Sequence, residues 1–511
     1  MEVLKKRARE LIRDYRTWIV IIILVFTFLL VYFPHYNYKY PLHADEFVHL
    51  TRLNQFVNNY KPNVIEDAPN FEFGYTLFLT GLFYMEKTLR IDFILAYKFL
   101  PAIFALLASF FLFLLMHKLT KNFLISLFSM IFFASLPSDV NLMGLWFAVP
   151  LTLSIPFVYL FFLFFIPGIQ EANKKLILIA TFILAIITLI HPAIGALTFL
   201  ISFVYITFNY KKLKDNLFSI IIFLPFLGFV SLFFYNFYLW GSTLKTLNYL
   251  ITEVVVFQQD TTSNLSSEIF RFLGINIIVN PYFLPFLYGF VPFLLAIIGF
   301  YISLKEEKLR IFSFWVIVSV SLLFFYKFFD FGTILRIPRI TYFALLGLVP
   351  LSAIGLERAL YFLKTKLENK NVNKKKIFAI LIIFFILLFS LTFYSYGKQY
   401  NGREIYHIIN DKDYEALKFL GQETTKSTVI LPLSPAIALY AITGNDAVAR
   451  DYPPLGETEK KKDVRLFFES NCSGQQSIIN KYKINYILSK FHLNCSFKEI
   501  YNKTDYIYKI P

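Results

Sequence analysis

The sequence has few charged residues, few cysteines and no small-residue cleavage site after its first apolar run. Only 16% of the 511 residues are charged, well below the roughly one quarter found in soluble proteins, which argues against an ordinary soluble protein. The first apolar run, Trp18–Phe33, is followed by bulky aromatic residues, so we interpret it as a membrane span and not as a cleavable signal. The two cysteines, Cys472 and Cys495, permit one disulfide, and two unpaired thiols are the alternative.

Apolar segments dominate what is present. Hydrophobic residues make up 57% of the chain, and the mean hydropathy is +0.58. The fold class that this pattern predicts is an α-helical polytopic membrane protein with about eleven transmembrane helices, each close to the length of about 20 residues that spans a bilayer. The predicted spans lie near Trp18–Phe33, Phe93–Met116, Phe123–Leu136, Phe147–Ile166, Leu176–Ile190, Ala193–Phe208, Leu217–Trp240, Phe283–Leu304, Ile311–Phe329, Ile340–Leu356 and Ile377–Tyr394.

Basic residues predict the orientation. The net charge is +16, but lysines and arginines cluster in loops between apolar segments, which is typical of membrane topology and not of nucleic-acid binding. With the eleven spans above, the basic N-terminal stretch and each basic loop fall on the same side. The positive-inside rule makes that side the cytoplasm. We therefore expect a multi-pass protein of the cell membrane with a cytoplasmic N-terminus and an extracytoplasmic C-terminal tail.

The chain divides by composition into two parts. Residues 1–396 form the predicted transmembrane domain, which includes a first outer loop (34–91) and a long outer loop (241–282) suited to covering a site or to binding an acceptor. Residues 397–511 show periodic apolar positions and frequent charges, which predict a small extracytoplasmic α/β domain. Expected elements are a helix capped by Asp411 or Asp413, a strand at 428–431 and a C-terminal hairpin. The tail has no Gly-rich phosphate loop.

The densest acid and base cluster is His43-Ala44-Asp45-Glu46-Phe47-Val48-His49. It directly follows the first span, so it lies at the predicted outer membrane surface. Apolar residues recur at helical spacing through Val57 and predict an interfacial helix with its apolar stripe in the lipid headgroups. Asp45 could take the proton from an attacking hydroxyl, or it could simply cap the helix. Together with histidine, the acids could also hold a divalent cation.

This arrangement resembles the polytopic glycosyltransferases of the GT-C superfamily. In the protein O-mannosyltransferases and the lipid A aminoarabinose transferase, an acidic motif begins the loop after the first helix, and Asp45-Glu46 stands there in this chain. The segment Phe71-Glu72-Phe73-Gly74-Tyr75 resembles a second loop element, without its paired prolines. Lys98 stands where those enzymes usually carry arginine. The oligosaccharyltransferase motif Trp-Trp-Asp-Tyr-Gly does not occur in the tail, which argues against that catalytic subunit.

The resemblance implies an inverting transfer of a sugar from a polyprenyl-phosphate donor, with Asp45 and Glu46 catalytic and Asp45 the general base. The acceptor, whether protein, lipid or glycan, is not indicated by any motif. We expect Arg336 and Arg339 to bind the donor phosphate, because arginine on an outer flank opposes the positive-inside bias. Further candidate substrate-binding residues are Lys98, Glu72 and His191, and the candidate ligands for a divalent metal ion are His49 and Glu72.

A multispanning transporter or lipid flippase is the main alternative. Such proteins usually place ionisable residues near the bilayer midplane and contain internal repeats. The apolar runs hold almost no charged residues, and no convincing repeat is visible. Because the polar groups gather at one predicted surface, interfacial catalysis is favoured over passage across the membrane.

Overall fold

The computed structural model describes residues 15–57, 72–89, 92–138, 142–209, 284–329, 337–369, 407–424, 426–450, 458–503 and 505–511. These residues belong to two compact units. The first unit takes in the described parts of 1–34, 69–75 and 99–402, and the second takes in those of 35–68, 76–98 and 403–511. The tail therefore shares a unit with most of the first loop, whereas the predicted domain boundary at residue 396 stays a prediction.

Helices make up most of the described chain. In chain order they are α1 (Tyr15–Tyr32), α2 (Ala44–Val57), α3 (Phe73–Leu89), α4 (Phe93–Tyr97), α5 (Leu100–Thr120), α6 (Phe123–Ala134), α7 (Pro150–Gln170), α8 (Lys174–Ile190), α9 (Pro192–Phe208), α10 (Leu284–Tyr288), α11 (Phe290–Lys305), α12 (Arg310–Phe329), α13 (Ile337–Asn369), α14 (Asp411–Glu423), α15 (Leu433–Thr443), α16 (Glu459–Glu469) and α17 (Cys472–Tyr482).

Nine of the predicted spans coincide with described helices, and the other two, Leu217–Trp240 and Ile377–Tyr394, lie outside the described residues. By length and composition, four described helical stretches are able to cross a membrane: Tyr15–His35, Phe93–Thr120, Pro150–Gln170 and Pro338–Lys366. The other apolar helices are shorter, so the total of about eleven spans stays a prediction.

Two of the predicted spans are interrupted. Phe93–Met116 divides into α4 and α5 around Lys98. Phe283–Leu304 divides into α10 and α11 at Gly289, whose φ of 95° ends the helical path. Hydropathy missed these interruptions because it averages over a window and does not register the backbone angle of one residue.

Close backbone approach joins α11 to α13 in the first unit. A Cβ atom added to Gly299 would lie 1.9 Å from the Leu351 carbonyl oxygen, and one added to Gly355 would lie 1.9 Å from that of Leu295. Small residues at a helix crossing let two backbones meet, which is how membrane helices associate. Nearby, the Trp315 Nε1–H donates to the Phe343 carbonyl at 2.7 Å and satisfies a buried indole.

The second unit contains a mixed five-stranded sheet. Its strands are β1 (Thr428–Ile430), β2 (Asp446–Ala447), β3 (Tyr486–Ser489), β4 (Lys498–Tyr501) and β5 (Tyr506–Lys509), in the spatial order β2-β1-β3-β5-β4. β1 runs parallel to β2 and β3, whereas β5 runs antiparallel to β3 and β4. The predicted strand at 428–431 and the predicted C-terminal hairpin are thereby confirmed.

The cap of α14 differs from the sequence prediction. Asn410 is the N-cap residue, and its side chain accepts the backbone N–H groups of Lys412 and Asp413. Asp413 closes the capping box by accepting the Asn410 N–H at 3.0 Å. The prediction of Asp411 as a cap was wrong because a run of Asn and Asp residues offers several capping positions, and burial of Asp413 selected among them. Cys472 and Cys495 form a disulfide, which resolves the alternatives left open by the sequence.

Candidate functional site

A capping box formed around His43 begins helix α2. The His43 Nδ1 atom accepts the backbone N–H of Asp45 at 3.1 Å. The Glu46 carboxylate accepts the backbone N–H of His43 at 2.9 Å. Histidine thus takes the place that serine or threonine usually occupies in this motif. As an acceptor, Nδ1 carries no proton, so the ring is the neutral tautomer with its proton on Nε2.

The two adjacent acids differ in their surroundings. Glu46 is fully buried, and one of its oxygens is engaged in the capping box. Asp45 is only partly buried, in the first turn of the helix, where the partial positive charge of the N-terminus favours an anion. His49 lies one turn further along and is buried. Of the two acids predicted to be catalytic, Asp45 is therefore the more exposed, and the catalytic role of both stays a prediction.

The apolar stripe of α2 is covered by protein, which corrects the expectation that it lies in lipid headgroups. Phe47, Leu50 and Leu53 are almost completely buried within the second unit. α2 packs against α15, and the Asn54 Nδ2–H donates to the Tyr440 carbonyl at 3.1 Å. Lipid and protein satisfy an apolar stripe equally well, so periodicity alone could not tell them apart.

Two further stretches of the first loop are hydrogen-bonded to the tail. The Tyr40 hydroxyl donates to Asp411 Oδ1 at 2.8 Å, and Lys39 Nζ lies 3.2 Å from Asp411 Oδ2. These two contacts hold the pKa of the Asp411 carboxyl below its usual value, with the Tyr40 hydrogen bond the larger cause. Burial raises the pKa of the Tyr40 phenol. Asp92 receives the Tyr414 hydroxyl at 2.6 Å.

Lys98 lies in the second unit with Asp45, Glu46 and His49. It is the C-cap residue of the short helix α4 and is partly buried. Asp92 caps the other end of α4 by accepting the N–H groups of Ile94 and Leu95. The position of Lys98 is thus coupled to that of Asp92 through one helical turn.

The first unit contains Glu72 and His191. The Glu72 segment packs closely on the end of α8, since a Cβ atom on Gly74 would lie 2.7 Å from the Leu189 carbonyl carbon. The Tyr75 hydroxyl donates to the Ala148 carbonyl at 2.6 Å. His191 joins α8 to α9 and is buried. The structure therefore brings the segment of Glu72 to the corner at which His191 lies.

Of the two arginines predicted to bind phosphate, the structure describes Arg339 and not Arg336. Arg339 is the third residue of α13 in the first unit and is partly buried. Arg336 lies outside the described residues, and so does the long loop 241–282. Their predicted roles stay predictions.

The metal prediction finds no ligand set in the described part of the chain. No group of three or more His, Cys, Asp or Glu side chains suited to a metal ion occurs among those residues. His49 and Glu72 belong to different units.

Sequence reasoning missed the residues that hold the first loop. Tyr38, Tyr40 and Asp92 carry no recognisable motif, and their partners lie more than 300 positions away in sequence. His43 was noted only as part of an acid and base cluster, although its distance of three residues from Glu46 matches the capping-box spacing. That spacing was the one local signal available.

No protein-family model and no curated protein matches the chain. Solved structures match it in fold. The apo oligosaccharyltransferase of Archaeoglobus fulgidus aligns with a TM-score of 0.58 and 13% identity, covering 94% of this chain and 70% of its own. The archaeal oligosaccharyltransferase AglB from the same organism, in complex with an inhibitory peptide and a dolichol-phosphate, aligns with a TM-score of 0.57 and 12% identity, covering 94% and 69%.

ArnT from Cupriavidus metallidurans bound to undecaprenyl phosphate aligns with a TM-score of 0.52 and 11% identity, covering 96% of this chain and 97% of its own. At such low identities the likeness establishes the fold alone. The chain has a GT-C-like fold, which confirms the resemblance inferred from the sequence. Both enzyme types share this fold, so the prediction that the chain is not an oligosaccharyltransferase stays a prediction. An oligosaccharyltransferase complex with zinc and sulfate is among the similar structures.

Proposed function

We propose that the protein is an integral-membrane glycosyltransferase that transfers a sugar from a polyprenyl-phosphate donor to an acceptor on the extracytoplasmic face. The observation that carries this proposal is the position of Asp45. It is a partly buried acid in the first turn of a protein-packed helix, soon after the first apolar helix. The headgroup of a lipid-linked donor lies where water and lipid meet, so its transfer needs a base near the end of an apolar helix.

The similar structures support the class of donor. One of them holds a dolichol-phosphate and another holds undecaprenyl phosphate. Both ligands are polyprenyl phosphates, which carry a long apolar chain and one phosphate group. The long apolar helices suit the apolar chain of a substrate of that kind.

Asp45 acts as the general base. Its carboxylate takes the proton from the acceptor hydroxyl while the hydroxyl oxygen attacks the anomeric carbon. The bond between that carbon and the phosphate oxygen breaks, and its electron pair leaves with the polyprenyl phosphate. Attack opposite the leaving group inverts the anomeric centre. Glu46 contributes as a positioning residue, because its buried carboxylate holds the start of α2.

The leaving phosphate gains negative charge and needs a cation. Arg336, Arg339 and Lys98 are our candidates, since guanidinium and ammonium groups stabilise phosphate oxygens. Glu72 and His191 are candidates for contacts with the sugar or the acceptor.

The test is sugar transfer from radiolabelled polyprenyl-phosphate sugars by the purified protein, with Asp45→Asn compared to the native chain. General-base catalysis is worth about 10²–10⁴-fold, so we expect a loss of that size in the variant. The matched control is Glu415→Gln, which makes the same carboxylate-to-amide change at an exposed position of α14.

Transfer by Asp45→Asn at the native rate would remove Asp45 from the role of base. No transfer by the native protein from any donor, together with flux of a lipid or solute in liposomes, would replace the proposal with the transporter.

A further inference from the structure

Helix α14 touches two stretches of the second unit, and each stretch leads to a predicted site residue. The side chains that take part are Asp411, Tyr414 and Lys418. Residues spaced by three and seven positions lie on the same face of a helix. One face of α14 thus meets two segments that are distant from it and from each other in sequence.

The first contact holds the irregular segment before α2. Asp411 accepts the Tyr40 hydroxyl and pairs with Lys39. Just before α14, the Tyr38 hydroxyl donates to the Ile409 carbonyl at 2.7 Å and accepts the Ile409 N–H at 3.2 Å. Tyr38 is 8% exposed and its two hydrogen bonds with Ile409 lie away from water, whereas Asp411 is exposed to solvent. His43, which caps the helix that carries Asp45, lies three positions after Tyr40.

The second contact holds the segment before Lys98. The Tyr414 hydroxyl donates to Asp92 Oδ2 at 2.6 Å, and Lys418 Nζ lies 3.5 Å from the same atom. The other oxygen of Asp92 caps α4, as described above. α4 has five residues and ends beside Lys98. One helical turn therefore separates the α14 contact from a candidate phosphate-binding cation.

The sheet edge beneath α14 indicates that this is more than incidental packing. β2 and β3 lie on opposite sides of β1 and run parallel to it, so β1 is a topological switch point of the sheet. Open α/β sheets usually bind ligands at the carboxyl ends of the strands at such a point. Ser434, which follows β1, donates to the Ile408 carbonyl at 3.3 Å. Lys490, which follows β3, lies 3.4 Å from Asp413 Oδ1. The segment leading into α14 thus crosses the edge where such a sheet usually binds a ligand.

We infer that α14 is a positioning element that sets the location of both Asp45 and Lys98, and that Tyr40 and Tyr414 are its positioning residues. This inference rests on the proposed function for its catalytic consequence. The tail then acts as the scaffold of the reactive loop and not as a separate ligand-binding domain. Catalysis is sensitive to such scaffolding, because a displacement of about 1 Å can cost about 10²-fold in rate.

The experiment compares Tyr40→Phe and Tyr414→Phe, each of which removes one hydroxyl and keeps the ring. We expect kcat for sugar transfer to fall at least about tenfold in each variant, with KM for the donor changed by less than about twofold. Hydrogen exchange on the same proteins without substrate should become faster in residues 44–57 for Tyr40→Phe and in residues 92–97 for Tyr414→Phe.

The control is Tyr482→Phe. The Tyr482 hydroxyl donates to Asp463 Oδ2 at 2.6 Å, so the control breaks the same kind of bond between α17 and α16. It should leave kcat and both exchange regions unchanged.

Native kcat in Tyr40→Phe and Tyr414→Phe would overturn the inference, and so would an equal loss in the control. If the native protein transfers no sugar, the proposed function fails, and the exchange data then decide the positioning role alone: faster exchange in those two regions supports it, and unchanged exchange overturns it.

Discussion

Substitution of Glu46 tests whether adjacent acids hold separate roles. In Glu46→Gln the amide oxygen still accepts the His43 N–H, so this hydrogen bond of 2.9 Å is kept and its acceptor changes from a carboxylate to a neutral amide. Bonds to charged groups contribute about 1.5–3 kcal/mol and neutral bonds about 0.5–1.5 kcal/mol, so we expect a cost of about 1 kcal/mol. Glu46→Ala leaves the N–H without this acceptor and should cost about 1–3 kcal/mol.

Each of these costs lowers the free energy needed to open α2 locally, and native-state hydrogen exchange measures that free energy. Since about 1.4 kcal/mol corresponds to a factor of ten, exchange in α2 should rise about fivefold in Glu46→Gln. In Glu46→Ala it should rise about fivefold to 150-fold. Asp45→Asn should raise exchange in α2 by no more than about fivefold, because the favourable interaction of the carboxylate with the helix N-terminus, about 0.3–1 kcal/mol, is lost, whereas the backbone N–H of residue 45 keeps its contact with His43.

Sugar transfer completes the comparison. Glu46→Gln should retain transfer within about fivefold of the native rate, since a positioning residue tolerates an isosteric acceptor. The reasoning is refuted if Glu46→Gln abolishes transfer while exchange in α2 stays native, because Glu46 would then be the acid that meets the substrate.

Two further outcomes concern the tail. Replacing Cys472 and Cys495 by serine should destabilise the tail by about 3 kcal/mol, because the disulfide closes a loop between cysteines 23 positions apart; denaturant unfolding with and without reductant measures this, and equal midpoints would contradict it. Burial, together with the neighbouring Asp413 carboxylate, raises the pKa of Asp505, so the native state binds more protons than the unfolded state above the ordinary pKa, and stability falls as pH rises through the folded value. Asp505→Asn should therefore be more stable than the native chain near neutral pH and equal to it in acid, and a constant difference across pH would show that Asp505 does not titrate in this way.

The predicted spans succeeded where the structure depends on local sequence. A membrane helix satisfies all of its backbone hydrogen bonds within one segment, so length and hydropathy suffice to place it. The strand at 428–431 and the end of α15 at Gly444 were predictable from other local signals, namely β-branched residues in the strand and a glycine directly after the helix. Gly444 has a φ of 72°, a left-handed backbone conformation that glycine adopts without strain.

The acidic cluster was recognisable in the sequence, but the contacts that hold it in place were not. Asp45 could be selected because acids are rare in this chain and cluster after the first span. The burial of Glu46 and the hydrogen bond from Tyr40 to Asp411 could not be predicted from the sequence, because each depends on residues distant along the chain. A hydroxyl on a tyrosine gives no sign of which acceptor it will reach.

By itself the sequence determined the membrane class, the acidic helix after the first span and most elements of the tail, because hydropathy, capping and turn chemistry act within a few residues. Only the tertiary structure decided that the apolar stripe of α2 faces protein, that Tyr40 donates to Asp411 and that Asp92 joins Tyr414. Those outcomes depend on which surfaces meet after the chain has folded, and contacts between segments hundreds of residues apart leave no periodic pattern in either of them.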